Sequence, residues 1–367
     1  MVNDIRVLTV APTQMCNLRC GYCWASAQSV ERDNETTVLQ LEKAESLIED
    51  ILANSRSPKL RVIFVGGEPT MVPVAWYESL CARLSIKASE RKKSISWSIQ
   101  TNGQSIDHDW AALFRRHNMG VGVSIDGPPE IAARQRSGSE KAANAVRFLR
   151  ANGIQVGSIV VGTSLNLPHI DRIHEYLGGL GVSCFHIVPV MPLGRAKTSE
   201  SVPAASLLTA YIALIDGFLR NPNLPQEDRL SIFVRRFIQG DCRHLAETEC
   251  FSGTKPCGKE LIFLDSDGSL FPCSYATDKA LTLGHAQCDG VSWSIPKTVL
   301  VTRVLAEEFA LRCLACRAKT ICGFSCAAVD FVNPAAREIE CEFYQLLMQY
   351  FESNRRKIEQ LYKILET

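Results

Sequence analysis

The sequence lacks an excess of charge of either sign. Its 40 Lys and Arg residues are balanced by 39 Asp and Glu residues, which leaves a net charge of +1. Binding to nucleic acid or to an anionic membrane through overall charge requires a clear basic excess. We therefore expect no nucleic-acid partner and no membrane partner, and we interpret the short basic runs at 91–93 and 355–357 as solvated helix faces.

Long apolar runs are also missing. The longest covers residues 207–219, and because Asp216 and Gly217 interrupt it, it is too short and too polar to span a bilayer. The first residues contain no basic stretch followed by an apolar core, so no secretion signal is visible. We expect a soluble cytoplasmic protein, and the length predicts about two domains.

Cysteine, by contrast, is abundant, with 15 residues. Disulfide frameworks belong to small secreted domains, and an odd count in a chain without a secretion signal argues against one. Clustered cysteines in a reducing compartment are better interpreted as metal ligands. Outside the clusters, Cys81 and Cys184 are interpreted as ordinary buried thiols, and Cys242 and Cys288 are left unassigned.

Short β-branched runs alternate with amphipathic helical stretches through the first 200 residues. This alternation predicts an α/β fold with a parallel sheet and right-handed crossovers. Six units predict an open, partial (β/α)6 barrel. The strands are expected at residues 7–10, 61–65, 94–99, 120–124, 155–161 and 184–188.

Irregular motifs follow each of these strands directly. The C-terminal ends of parallel barrel strands form the catalytic face, so the motifs are expected to meet at one mouth. They comprise Cys16 and the segments 66–69, 100–103, 124–127, 162–164 and 189–194.

The rest of the chain divides by composition. We predict a barrel over 1–200, an apolar helical segment over 201–249, and a loop-rich, cysteine-dense domain over 250–367. Within the last domain, a hairpin is expected at 261–271, with its turn at 265–268, and a final helix at about 340–365.

Three cysteines, Cys16, Cys20 and Cys23, lie within eight residues. A structural zinc site needs four protein ligands, and no fourth Cys or His is nearby. A 4Fe–4S cluster held by three thiolates leaves one iron free for a chelating cofactor. With the aromatic Tyr22 before the last cysteine, the motif resembles the radical S-adenosylmethionine superfamily; a chance cluster or a partial zinc knuckle is the alternative.

The resemblance implies how S-adenosylmethionine is bound. Segment 66–69 resembles the part that binds the cofactor's ammonium group. Ser124 and Arg136 resemble the residues that hold the ribose and the methionine carboxylate, with Arg134 as a competing cation and a solvated surface arginine as the alternative. The implied cofactor contacts are Tyr22, Gly66, Gly67, Glu68, Pro69, Gln100, Asn102, Ser124 and Arg136.

The resemblance also implies the chemistry. The cluster passes an electron to the bound sulfonium, and the resulting 5′-deoxyadenosyl radical takes a hydrogen atom from a substrate carbon. A reducing electron donor of flavodoxin or ferredoxin type is implied as a partner. No catalytic acid or base is assigned from the sequence.

Eight cysteines in the C-terminal third resemble the SPASM domain, which holds auxiliary clusters. By this resemblance one 4Fe–4S cluster is held by Cys250, Cys257, Cys273 and Cys326, and another by Cys313, Cys316, Cys322 and Cys341, which makes three clusters in all. Two zinc sites are the alternative, since paired cysteines also fit zinc. Without Cys250 as a ligand, the first auxiliary cluster would keep an open iron.

Two groups of enzymes share this overall shape: anaerobic sulfatase-maturing enzymes, which form formylglycine from Cys or Ser, and maturases of ribosomal peptides, which build crosslinks or epimerise residues. The former carry an Asp after the cysteine corresponding to Cys273, where this chain has Ser274. A serine hydroxyl is no useful base at neutral pH, and Tyr275 or Asp278 would have to replace it. We therefore rank a maturase of ribosomal peptides first.

The expected substrate is a precursor peptide or a protein. Cys16 lies so early that we expect no peptide-binding domain ahead of the barrel, which leaves recognition to the barrel rim, to residues 204–240 or to a separate leader-binding protein. Three alternatives stay open: a radical dehydrogenase of a small molecule, a ferredoxin-type electron carrier and a zinc-dependent binding module.

Overall fold

A computed structural model describes residues 4–25, 38–196, 201–240, 258–294, 313, 315–322 and 334–366. Within these ranges a single mixed sheet runs through the molecule. Its eleven strands are β1 (Val7–Val10), β2 (Lys59–Phe64), β3 (Ser94–Thr101), β4 (Gly120–Ser124), β5 (Val156–Gly162), β6 (Cys184–Pro189), β7 (Gln226–Glu227), β8 (Leu261–Leu264), β9 (Ser269–Phe271), β10 (Gly284–Gln287) and β11 (Gly290–Trp293).

Helices follow most of the parallel strands. They are α1 (Leu41–Asn54), α2 (Val74–Glu90), α3 (His108–Arg116), α4 (Pro129–Ala132), α5 (Ser139–Ala151), α6 (Ile170–Gly179), α7 (Ala204–Arg220), α8 (Asp228–Gln239), α9 (Lys319–Cys322), α10 (Pro334–Ser353) and α11 (Arg355–Leu365). Short 3₁₀ turns occur at Pro69–Met71, Leu167–His169 and Lys279–Leu281. Each of these helices is too short or too polar to cross a bilayer.

The predicted α/β fold with a parallel sheet is confirmed. Strands β1 to β7 are parallel neighbours in chain order. All six predicted strands are present, with β1 and β4 at the predicted bounds and the other four within two residues of them. Helical crossovers explain the order, because parallel neighbours cannot be joined by a tight turn.

The two faces of the sheet have different environments, as β2 illustrates. Its residues Leu60, Val62 and Phe64 are buried toward the helices, and the Phe64 ring lies 4.9 Å from the ring of Tyr77 on α2. The intervening Arg61 and Ile63 line a cavity on the concave face. The period of two along the strand therefore separates a helix-packed core from an interior that is open to a ligand.

The expected boundary at residue 249 does not interrupt the sheet. Strand β8 pairs parallel with β1, so the C-terminal region supplies a neighbour for the first barrel strand. The predicted hairpin is present as β8 and β9, with Gly268 at φ +100° in its turn. The sheet continues through β10 and β11, which pair antiparallel across a two-residue connection, Cys288 and Asp289.

The C-terminal helical elements depart from the prediction in two respects, since helix α10 begins at Pro334 rather than at about 340. The helix expected over 340–365 is two helices, α10 and α11, separated at Asn354. The Asn354 side-chain amide donates to the Tyr350 carbonyl at 2.9 Å. Asparagine favours this local hydrogen bonding over continued helix, which explains the break.

Helices α7 and α8 occupy the segment predicted to be helical, and α8 is tied to the C-terminal elements. The Arg229 guanidinium donates to the Tyr344 hydroxyl at 2.6 Å, and Arg236 donates to the Ile321 carbonyl at 3.2 Å. Tyr344 lies three residues after Cys341, and Ile321 directly precedes Cys322. Helix α8 thus supports two of the predicted auxiliary ligands.

Candidate active site

The three-cysteine loop follows β1. Cys16 is exposed, Cys23 is half-buried, and Cys20 is buried, with 8% of its surface exposed. The loop rests on the segment after β2: the Gly67 amide donates to the Thr13 carbonyl at 3.1 Å, and the next amide, of Glu68, donates to the Met15 carbonyl at 2.6 Å. The motifs after the first two strands therefore meet, as predicted.

Glycine is required where these segments touch. Gly66 has a φ of +115°, which side chains rarely tolerate. A Cβ on Gly67 would lie 2.1 Å from the Met15 carbonyl oxygen and 2.4 Å from that of Gln14. The Gly-Gly pair thus allows the backbone to approach the residues that immediately precede Cys16.

The Glu68 carboxylate is the centre of a buried hydrogen-bond cluster. It accepts from the Thr70 amide at 3.1 Å, the Thr70 hydroxyl at 2.6 Å, the Thr101 hydroxyl at 2.6 Å and the Asn102 amide at 2.7 Å. It therefore joins the motif after β2 to the one after β3. The adjacent Pro69 carbonyl accepts from the Tyr77 hydroxyl at 2.7 Å. A cofactor contact by Glu68 or Pro69 stays a prediction.

The remaining polar candidates lie on β3 and β4 and in the turns after them. The Gln100 amide donates to the Ser124 hydroxyl at 2.8 Å. The Asn102 amide donates to the Asn17 side chain at 2.7 Å and lies 3.8 Å from the Cys16 sulfur. The structure thus brings Asn102 beside the first cysteine, while Gln100 and Ser124 form a separate pair.

Arg136 is buried, whereas its competitor Arg134 is exposed. Its guanidinium donates to the Tyr22 hydroxyl at 2.9 Å, and Tyr22 in turn donates to the fully buried carboxylate of Asp126. Burial raises the pKa of Tyr22, and the neighbouring Asp126 charge raises it further. Burial also raises the pKa of Asp126, against the opposing charge of Arg136.

The role of Cys16, Cys20 and Cys23 as ligands of one cluster stays a prediction. Within the described residues, no three His, Cys, Asp or Glu side chains converge closely enough to hold one metal ion. Cys20 nevertheless interacts electrostatically with Cys16 and Cys23. Ligands of one ion must converge on one point, whereas each thiolate of a four-iron cluster binds a different iron. Burial raises the pKa of Cys16 and of Cys20.

Arg195 is a functional candidate that the sequence did not identify. Its side chain donates to the Cys20 carbonyl at 2.9 Å, and its amide donates to the Cys23 carbonyl at 3.1 Å. Arg195 directly follows the predicted motif at 189–194, so extending that motif by one residue would have included it. The segment after β6 therefore also holds the cysteine loop, through the carbonyls of Cys20 and Cys23.

Five of the eight predicted auxiliary ligands lie in the described residues, and Cys250, Cys257 and Cys326 lie outside them. Burial raises the pKa of Cys341. Arg337 opposes this rise, and the charge of Cys313 adds to it. Tyr344, on the same helix, interacts electrostatically with Cys322. Helix α10 thus places Cys341 in the neighbourhood of Cys313, and Tyr344 in the neighbourhood of Cys322. The role of the eight as cluster ligands stays a prediction.

A cavity of about 1020 Å³ occupies the concave face of the sheet. It is lined by residues of β1 to β6, by the segment after β6, and by Cys273, Ser274 and Tyr275 of the C-terminal region. The Tyr275 ring lies 4.7 Å from that of Trp24, directly after Cys23. The two cysteine regions therefore meet through these rings at this cavity.

The two residues that could replace a catalytic carboxylate lie in different environments. Tyr275 lines the cavity, but Asp278 is exposed and caps a 3₁₀ turn through the Ala280 amide at 2.7 Å. Two other carboxyl groups, of Asp228 and Glu340, do line the cavity. Burial raises the pKa of Asp228 to about 6, against opposing effects of Cys184 and Arg61.

The interpretation of Cys184 as an ordinary buried thiol needs correction. It is half-buried, lines the cavity and is hydrogen-bonded to Asp228. Cys81 is fully buried in α2, as expected. Cys288 is exposed in the turn between β10 and β11, and Cys242 lies outside the described residues.

Comparisons with known proteins agree with this arrangement. The sequence profile of the Radical SAM superfamily matches residues 10–177. A cysteine-type anaerobic sulfatase-maturating enzyme of Clostridium novyi is 23% identical over 381 residues, which cover 99% of each chain.

Solved structures share the fold. One of native anSMEcpe with bound AdoMet and Kp18Cys peptide has a TM-score of 0.78 at 21% identity, covering 97% of this chain and 99% of that one. Streptococcus suis SuiB bound to precursor peptide SuiA has a TM-score of 0.53 at 16% identity, covering 74% and 60%.

Proposed function

We propose that the chain is a radical S-adenosylmethionine maturase that modifies a side chain of a peptide or protein substrate by hydrogen-atom abstraction, and the match of residues 10–177 to the Radical SAM superfamily supports this. The observation that carries this proposal is the cavity, about 1020 Å³, lined by the barrel strands and by Cys273 to Tyr275 together. Its volume is at the upper end for ligand sites, as a side chain with its flanking peptide requires.

The residues present fit the implied cofactors. Cys16, Cys20 and Cys23 would hold a four-iron cluster, and the mouth between them and the strand ends would hold S-adenosylmethionine. When bound, this pair supplies hydrogen-atom abstraction from a substrate carbon. The chain's own residues orient the loop, through Gly67 and Arg195, and the largely apolar cavity wall reduces contact of the substrate with water.

The C-terminal cysteines would hold two further clusters, which gives three in all. The Cys273 region borders the cavity and contacts the residue after Cys23 through the Trp24 and Tyr275 rings. A cluster held beside the substrate cavity is well placed to accept an electron from the substrate. A flavodoxin or ferredoxin type of protein would supply the reducing electron.

Different observations favour two substrate classes. Similarity over the full length of a sulfatase-maturating enzyme favours formylglycine formation from Cys or Ser. Ser274, which replaces the expected Asp, favours a ribosomal peptide, and SuiB is a structural neighbour bound to its precursor peptide. The comparisons support the sulfatase class at least as well as the ribosomal-peptide class, so Ser274 alone does not rank one above the other.

The first test concerns the cofactors. Anaerobically prepared protein should contain about twelve iron atoms per chain, three clusters of four. Replacing Cys16, Cys20 and Cys23 together with Ala should remove about four of them and abolish 5′-deoxyadenosine release from S-adenosylmethionine under reducing conditions. Undiminished release from this variant would place the radical chemistry elsewhere.

The second test concerns the substrate. The enzyme is incubated with a sulfatase-derived peptide carrying Cys or Ser, and separately with short ribosomal peptides encoded beside its gene. Formylglycine is detected as an aldehyde with a hydrazide reagent, a crosslink as the loss of two hydrogens, and epimerisation as deuterium uptake from solvent. Deoxyadenosine release that none of these peptides stimulates would contradict the proposed maturase activity and favour a small-molecule substrate.

A further inference from the structure

Two arginines near the end of the β4 motif differ completely in environment. Arg134 is exposed, whereas Arg136 keeps only 7% of its surface exposed. The backbone sets this difference, because the Arg136 amide continues the turn of α4 by donating to the Ala132 carbonyl at 2.9 Å. The side chain of Arg136 reaches Tyr22 of the three-cysteine loop rather than solvent.

The guanidinium of Arg136 is engaged from within the protein. It donates to the Tyr22 hydroxyl at 2.9 Å, and that hydroxyl donates to the carboxylate of Asp126. The other oxygen of Asp126 accepts from the Val161 amide at 2.9 Å. A continuous network of hydrogen bonds therefore runs from the Val161 amide on β5 through Asp126 and Tyr22 to Arg136. The loop residue Tyr22 lies between the two charged groups.

Both charged groups of this hydrogen-bond network are buried. Asp126 is fully buried and Arg136 almost so, and a buried charge without its partner costs about 3–5 kcal/mol. The Tyr22 hydroxyl is hydrogen-bonded to both groups and so links the two buried charges.

The position of Tyr22 couples this network to the ligands. Tyr22 lies between Cys20 and Cys23 in sequence, and the preceding amide, of Gly21, donates to the Gln135 carbonyl at 2.8 Å. Two successive residues of the loop are thus bonded to two successive residues at 135 and 136.

We propose that Arg136 is a positioning residue for the three-cysteine loop: it holds Tyr22 in place and keeps a permanent positive charge at the loop segment between Cys20 and Cys23. This inference rests on the proposed cluster at these cysteines. It assigns Arg136 a role different from the one that the family resemblance implies, which is to hold the methionine carboxylate of the cofactor.

The two roles have different consequences. A positive charge beside a ligand stabilises the reduced, more negative cluster, so its removal should make the cluster harder to reduce even without S-adenosylmethionine. Loss of a carboxylate contact would instead weaken cofactor binding and leave the cofactor-free cluster unchanged. The reduction potential therefore separates the two.

The experiment compares Arg136→Met and Arg136→Lys with the matched control Arg134→Met in the full-length, anaerobically reconstituted protein. The cluster at Cys16 to Cys23 is identified as the electron-paramagnetic-resonance signal that S-adenosylmethionine perturbs in the parent protein. Redox titration of that signal is carried out without the cofactor, and cofactor affinity is measured separately by equilibrium binding.

For Arg136→Met we expect the ratio of reduced to oxidised cluster at a fixed potential to fall about tenfold, which is about 59 mV for one electron. Arg136→Lys keeps the charge and should recover most of this loss, while Arg134→Met should match the parent. If Arg136→Met does not retain iron, Asp126→Asn, which removes the partner charge, should shift the potential in the opposite direction.

Two results would overturn the proposal. An unchanged potential in Arg136→Met, together with a more than tenfold loss of cofactor affinity, would assign the residue to the cofactor carboxylate. An equal shift in Arg134→Met would show a general charge effect rather than a buried network. Failure of the proposed function itself is distinguished by the parent protein, which would then show no signal that responds to S-adenosylmethionine.

Discussion

Substituting Gly67 by Ala tests the packing that positions the cysteine loop. The new Cβ would lie 2.1 Å from the Met15 carbonyl oxygen and 2.4 Å from that of Gln14, and both obstacles are backbone atoms that cannot rotate away. Restoring an ordinary contact requires a displacement of about 1 Å, and overpacking of this kind costs about 1–3 kcal/mol.

The displacement also strains hydrogen bonds. The amides of Gly67 and Glu68 donate to the Thr13 and Met15 carbonyls, and each bond contributes about 1 kcal/mol. We therefore expect Gly67→Ala to lower the free energy of unfolding by about 2–5 kcal/mol. Cys16 directly follows Met15, so its sulfur should move with the loop, and a misplacement of about 1 Å can cost about 100-fold in rate.

The assay measures urea unfolding of the metal-free protein, iron and sulfide content, and 5′-deoxyadenosine release. A matched control is Gly179→Ala at the end of α6, where an added Cβ meets no atom within 4 Å. This control should leave all three quantities unchanged or raise stability by up to about 1 kcal/mol. Gly67→Ala with parental stability, iron content and release would refute the reasoning.

Three further predictions follow from the structure. Burial raises the pKa of Glu227 from its ordinary 4.5 to about 7, so ionisation destabilises the fold as pH rises through this window by about 3 kcal/mol. Urea unfolding at pH 5 and pH 8 should show this loss in the parent but not in Glu227→Gln, and equal losses would contradict it. Tyr344→Phe removes the hydroxyl that Arg229 contacts at 2.6 Å and should cost about 1.5–3 kcal/mol in the same assay, whereas a neutral result would mean that the bond does not stabilise α8 on α10. Trp24→Leu removes the contact with Tyr275 and should lower modified peptide per deoxyadenosine at constant iron content; an unchanged ratio would count against a role for this contact.

Local patterns were sufficient for the barrel. The alternation of β-branched and amphipathic segments depends on periods of 2 and 3.6 residues, which any short window reveals. The predicted strands 7–10 and 120–124 agree with β1 and β4 at both ends. The hairpin of β8 and β9 followed from its Asp-Gly turn, but its place beside β1 did not, because that pairing joins residues about 250 positions apart.

Short elements with weak composition escaped prediction. Strand β7 has two residues, and β10 reads Gly-His-Ala-Gln, without a β-branched side chain. Both are strands because their neighbours offer unpaired backbone groups, and tertiary context overrides propensity in such cases. The break at Asn354 was not predicted either, because it depends on a single side-chain hydrogen bond.

The sequence by itself was enough to predict which residues would carry the chemistry, because cysteine spacing and motifs that end strands are local patterns. Only the tertiary structure decided how those residues act on one another. It buries Arg136 against Tyr22 while Arg134 stays in solvent, surrounds Glu68 with four donors, and brings Arg195 onto Cys20 from 175 residues away. Burial and partner choice depend on contacts between distant segments, and no short window of sequence contains both sides of such a contact.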